Sequence, residues 1–236
     1  MISPFILDNI DKLNWENLSS NPGAIPLLEA YPDRINRDYL SRNRNAIHLL
    51  EANLDKINWY DLCLNPNSLV LPLINQKKII WSWLSRNPGV IPLLEANFDK
   101  IDWEQLSINP NPWAIQLLEA NPDKIDWYML TKNPAAISLL EANPSKIFWY
   151  NLSQNPKAIY LLEANPDKIS WVYLSENSGA IHLLEANPDK INWRCLSSNP
   201  EAIYILEANP DKINWNRLSE NPNIMDLFNQ KPPEMK

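Results

Sequence analysis

Between Ile169 and Lys190 the chain reads ISWVYLSENSGAIHLLEANPDK. The same phrase recurs on both sides, so this stretch decides the fold. Tryptophans mark the copies. Trp59, Trp81, Trp103, Trp127, Trp149, Trp171, Trp193 and Trp215 are spaced by 22 residues, with one step of 24. Trp15 lies twice 22 residues before Trp59, and Arg37 stands at the midpoint, where a tryptophan is expected. The longer step is a two-residue insertion at Asn109-Pro110-Asn111-Pro112-Trp113. The chain is therefore about ten copies of I-x-W-x-x-L-S-x-N-P-x-A-I-x-L-L-E-A-N-P-D-K. No linker or shift in composition separates them. We expect one domain over residues 1–236, with an N-terminal cap to about residue 12 and a tail from about residue 229.

The full copy carries Asn-Pro twice, as at Asn155-Pro156 and Asn165-Pro166. Asn is a strong helix N-cap, and Pro suits the first helical position because its missing N–H is not needed there. The Asn before each D-K can also end the preceding helix in the left-handed conformation usually given to Gly. Asn-Pro starts alternate at 12 and 10 residues, as from Asn165 to Asn177 and Asn187. Each segment holds about two helical turns. Helices this short are marginal alone and persist only when stacked. Ile159 and Leu162 share one face, as do Trp171 and Leu174, whereas Ile169 does not, so I-x-W is expected to be 3₁₀ or irregular. No segment alternates like a strand. The sequence predicts an all-α fold, an α-solenoid with two short helices (α/α or α/3₁₀) per repeat.

The run L-S-x-N-P-x-A-I-x-L-L-E-A-N-P resembles the leucine-rich variant repeat, which pairs an α-helix with a 3₁₀-helix in a superhelix. The full unit, with K-I-x-W and L-L-E-A-N-P-D-K, is similar to repeat proteins of large DNA viruses of protists. The resemblance covers nearly the whole chain. It implies the solenoid fold and a viral origin, and it carries no catalytic or ligand residue.

Composition narrows the function. The 21 basic residues against 28 acidic give a net charge of −7, which argues against nucleic-acid and anionic-membrane surfaces. Three glycines could not supply most phosphate-binding or nucleophile-elbow motifs, and none is present. Cys63 and Cys195 form no CxxC pair, so neither a disulfide framework nor a zinc site is indicated. The N-terminal Met1-Ile2-Ser3-Pro4 run lacks a basic region and is broken by proline, unlike a signal peptide. No run of 18 apolar residues suggests a membrane span. We expect an intracellular protein of a reducing compartment, in host cytoplasm or virion, with no cofactor and no metal.

Titratable residues repeat rather than converge. His48 and His182 fall at one repeat position, six copies apart, on the order of 50 Å along an open stack. Glu163 and Glu185 belong to a ladder of eight glutamates at one repeat position, and Lys168 and Lys190 to another ladder. A catalytic dyad is one special place, so the ladders read as helix-end charges and surface pairs, such as Glu163 with Lys168. Tryptophans in register with Leu three residues on are read as core. Trp83 and Trp113 are off-register and are the candidates for surface contact.

Specificity in a repeat protein lies in what varies. Within A-I-x-L-L the variable row includes His48, Gln116, Tyr160, His182 and Tyr204. Beside the glutamate ladder it would form the concave, partner-binding side, while the tryptophan segments, with Tyr150 and Tyr173, take the convex side. The expected function is a non-enzymatic scaffold that binds another protein, basic in character, along an extended face. The alternative is a structural component of a viral particle or a self-assembling filament. Two regional expectations follow from the copies themselves. The insertion should bulge as a loop presenting Pro110, Pro112 and Trp113. The N-terminal third should be the looser part, because Arg37 replaces a tryptophan and Leu73 to Lys77 has lost the E-A-N-P-D signature.

Overall fold

The computed structural model describes residues 2–51, 57–67 and 79–229. Among them there are only short α-helices and 3₁₀ turns, and no strand. Among the described residues each repeat has a helix that starts at the Trp position, as Trp171–Leu174, and most have a leucine helix after it, as Ile181–Ala186. The residue before the Trp caps the first helix where it is Asn or Asp, as Asn192 does by accepting the Cys195 N–H, whereas Ser170 makes no such bond. P-D-K forms a separate 3₁₀ turn, as Pro188–Lys190, and Ile191 after it is extended. The Asn of E-A-N-P ends the leucine helix without entering the left-handed region. Asn187 has φ −136°, and its side-chain amide donates to the Leu183 carbonyl. It does not cap the following turn. The expected N-cap at this second Asn is therefore replaced by a C-cap.

Two buried side-chain ladders join the repeats. The residue after W-x-x-L is Ser in most copies, Thr131 in one and Cys63 in another. It donates to the carbonyl four residues back, as Ser175 does to Trp171 at 2.7 Å. It also accepts the N–H of the residue before the next helix, as Ser175 does from Asn192 at 2.9 Å. Cys63 keeps both bonds, to the Trp59 carbonyl and from the Ile80 N–H. The second ladder is the Asn of L-S-x-N-P. Asn177 donates to the carbonyls of Ser153 and Asn155 in the repeat before it and accepts the N–H of Gly179. The Asn side chain is fully bonded although buried, the condition on which burial of an amide costs little.

The ladders do not end at the ends of the chain. Asn21 in the first repeat donates to the carbonyls of Ser219 and Asn221 in the last, at 2.9 and 2.8 Å. The Asn14 N–H donates to Ser219 Oγ at 2.8 Å. These are the bonds of every interior junction, made between residues about 200 positions apart. The solenoid is a closed ring of ten repeats, each turning the stack by about 36°.

The tenth repeat is completed from both termini. Its tryptophan helix, Trp215–Leu218, is followed by a 3₁₀ turn, Ile224–Asp226, with Ile224 buried where most other repeats have Ala. The place of the second leucine is filled by Ile6 of α1, Pro4–Asp8, which is fully buried. Phe5 stacks on Trp215 and packs against Phe228. The expected N-terminal cap is part of the ring. Residues 230–236 of the expected tail lie outside the described residues, as do 68–78, which include the altered Leu73 to Lys77 copy.

Closure follows from the repeat's wedge shape. The N-P turns approach one another most closely, and the buried side chains there are small: Ser, Asn and Ala. At the other end of several layers, tryptophan and lysine pack together. Lys190 lies over the Trp171 ring at 4.4 Å and Lys212 over Trp193 at 4.3 Å. The N-P turns thus form the inner rim and the N-P-D-K turns the outer. The tryptophans are half-buried and packed against the core, while the Leu three residues on is fully buried. They are outer-rim wedges rather than central core residues.

The insertion leaves no bulge. Asn111 accepts the Trp113 N–H and starts a leucine helix of 9 residues, Pro112–Ala120, against 5 or 6 elsewhere. The extra residues lengthen the helix at its N-terminus. Asn109 and Asn133 keep the ladder on either side, so the register is intact.

Candidate functional site

With the N-P turns inside and the N-P-D-K turns outside, the two helices of each layer face opposite flat sides of the ring. The expected concave and convex sides are instead a leucine-helix face and a tryptophan-helix face.

The leucine-helix face carries the variable row. His48, Gln116, Tyr160, His182 and Tyr204 are all exposed there. Four of them are tied to the glutamate of the repeat before. His48 Nε2 lies 3.1 Å from Glu29 and His182 Nε2 2.9 Å from Glu163. The hydroxyl of Tyr160 donates to Glu141 at 2.6 Å and that of Tyr204 to Glu185 at 2.7 Å. Local desolvation, followed by the Glu185 bond, pushes the Tyr204 phenol up to about 12, so it remains a donor at neutral pH. Glu163 and Glu185 are therefore answered by His182 and Tyr204. The expected pairing with the lysine five residues on is not what forms, because Lys168 lies over Trp149 and Lys190 over Trp171. Ring closure places His48 and His182 four repeats apart by the shorter way, each beside its own glutamate. Among the described residues no three His, Cys, Asp or Glu side chains are grouped to hold a metal.

The tryptophan-helix face is different. Tyr128, Phe148, Tyr150 and Val172 come from three successive repeats, and each is about half exposed, at 47%, 46%, 56% and 46%. Tyr128 meets Phe148 edge-on at 5.5 Å, and Tyr150 meets Tyr173 at 4.2 Å. The bond between Tyr150 and Tyr173 holds the Tyr173 phenol up at about 12. Lys132 lies over the Tyr128 ring at its edge. The corresponding positions of the ninth and tenth repeats are Arg194, Asn216 and Arg217, so the patch is one arc of the ring. Trp83 and Trp113, the candidates for surface contact, are half-buried against the core instead.

Phe148 and Val172 escaped the sequence reading. A signal was present. The position before the Trp is Asn or Asp in seven repeats, where it caps the helix, and Phe148 cannot cap. An apolar residue in a capping column has given up a local bond for another use.

No helix among the described residues is long and apolar enough to cross a membrane. No known family, curated protein or solved structure matches the chain.

Proposed function

We propose that the protein is a non-enzymatic ring scaffold that binds another protein through its tryptophan-helix face. The observation that carries this reading is the run of exposed Tyr128, Phe148, Tyr150 and Val172 on adjacent repeats. The ring does not need them: outside this arc the corresponding positions are polar in every repeat except at Tyr60 and Ile80, and the ladders are unchanged. Contiguous exposed aromatics are characteristic of interface centres. The leucine-helix row is the weaker candidate, since its histidines and tyrosines already serve Glu29, Glu141, Glu163 and Glu185. The glutamate ladder still leaves that face acidic and suited to a basic segment.

The test uses the full chain as bait in extract of its source cells. We compare Tyr128→Ala/Tyr150→Ala with Tyr160→Ala/Tyr204→Ala. A protein retained by the second bait and lost from the first supports the assignment. The opposite pattern returns the site to the leucine-helix face. In the viral-particle or filament reading, assembly would proceed by face-to-face stacking, because a sealed ring leaves no free repeat for end-to-end growth. Self-association in sedimentation that Tyr150→Ala abolishes would favour that reading.

A further inference from the structure

The inner rim carries its own charge pattern. In the second repeat Arg44 replaces the proline found at that position in eight repeats, and Arg42 and Arg86 occupy the variable place between Ser and Asn. These guanidiniums line two adjoining cavities. One, of about 350 Å³, is walled by Arg42, Leu64, Arg86, Asn87 and Pro88. The other, of about 330 Å³, has Arg42 and Arg44 with Ser20 and prolines of three further repeats. A cavity touched by four consecutive repeats is where a ring converges.

The charges there are incompletely balanced. Buried Asp61 holds Arg42 in place through its Nε at 2.8 Å. Glu220 borders the second cavity, but its carboxylate is taken by Arg217 and Asn17. Arg217 also reaches Glu176, 41 residues away and two repeats back. Arg44 and Arg86 have no ion-pair partner among the described residues. The arc therefore keeps two exposed, unpaired guanidiniums and one anchored, half-buried guanidinium around a concave space, although the whole chain is acidic. Concavity focuses such a field, and the planar fork of Arg matches phosphate oxygens two at a time. The volumes fall in the range of small-ligand pockets.

We propose that the inner rim over the second to fourth repeats binds a small, multiply phosphorylated anion. A nucleic-acid strand is disfavoured by the chain's net charge of −7.

The test is calorimetric titration of the full chain with inorganic tripolyphosphate at low salt. Arg44→Pro installs the residue most repeats have, and Arg86→Ser the one found at Ser20 and Ser198, so both keep the fold. The expected result is one anion per chain, weakened about tenfold or more by either substitution, with a smaller salt dependence. Arg194→Ser, on the tryptophan-helix face, should bind as wild type does. Absence of binding at millimolar tripolyphosphate overturns the proposal, as does unchanged affinity in both rim variants. So does tighter binding of single-stranded oligonucleotides that rises with their length, which would make the rim a strand track.

Discussion

The seam between the tenth and first repeats and the junction between the seventh and eighth make the same contacts. Asn21 bridges to Ser219 and Asn221 as Asn177 does to Ser153 and Asn155. The Asn14 N–H meets Ser219 as the Ser170 N–H meets Ser153. Lys12 lies over Trp215 as Lys168 lies over Trp149, at 5.3 against 4.4 Å. Even the glycine recurs, Gly23 against the Pro222 carbonyl and Gly179 against the Pro156 carbonyl. One junction is made between neighbours in the chain and the other between its ends. Closing the ring thus needs no new chemistry, only a repeat angle that returns the last unit to the first. The seam adds side-chain bonds of its own, from Asn14 and Asn17 to Asn216 and from Asn17 to Glu220.

The largest effect should come from truncating buried leucine-position side chains. Leu162→Ala in the interior and Ile6→Ala at the seam each remove a fully buried aliphatic group. We expect about 2–5 kcal/mol from each in urea unfolding. An Ile6→Ala protein that unfolds like wild type would show that the seam opens before the rest.

Next come the amides. Asn177→Ala and Asn21→Ala each strip two carbonyls and one N–H of their partner. Each should cost about 1–3 kcal/mol, since buried polar groups are left unmet. Amide hydrogen exchange separates the two sites: Asn177→Ala should expose Gly179, and Asn21→Ala should expose Gly23. Equal losses extend the equivalence of the junctions, and a smaller loss at Asn21 breaks it.

Glycine sharpens the comparison further. Other repeats carry Ala135, Lys157 and Glu201 at this position, so it is not closed to side chains in principle. At Gly179 a Cβ would stand 2.6 Å from the Pro156 carbonyl oxygen, and at Gly23 it would overlap the Pro222 oxygen more deeply. We expect Gly23→Ala to cost about 1–3 kcal/mol and Gly179→Ala less. Thermal unfolding that ranks them the other way would mean that the seam is the looser junction.

The period, the two helices per repeat and the absence of strands were legible because punctuation and apolar spacing are local. Closure was not. Whether ten wedges complete a turn depends on a small angle per repeat, and no residue of one copy encodes that sum. A trace of it was readable. Ser, Asn and Ala cluster at one turn of most copies, and Trp and Lys at the other. The Asn of L-S-x-N-P was read as a cap, and its Oδ1 does accept a local N–H. Its larger role uses the amide nitrogens, whose partners lie 22 and 24 residues away. His48, Gln116, Tyr160, His182 and Tyr204 lie at exposed positions. The pairing of this row with Glu of the previous copy needed the stacking geometry.

The smallest expected effect compares the third repeat with the others. Cys63 stands where eight copies have Ser and one has Thr, and it holds the same two bonds with a weaker donor and acceptor. Cys63→Ser should restore ordinary hydrogen bonds to the Trp59 carbonyl and the Ile80 N–H, and stabilise the ring by about 0.5–1.5 kcal/mol. Burial raises the thiol of Cys63 above its ordinary range. Maleimide should therefore modify half-buried Cys195 first and reach Cys63 only on unfolding, although the Cys195 thiol is also raised. The rate at Cys63 then reports opening of the third junction, and the shift in the unfolding midpoint of Cys63→Ser reports its bonds. If the substitution lowers stability, the sulfur is held there by packing volume, and the ladder at this junction differs in kind from the other nine.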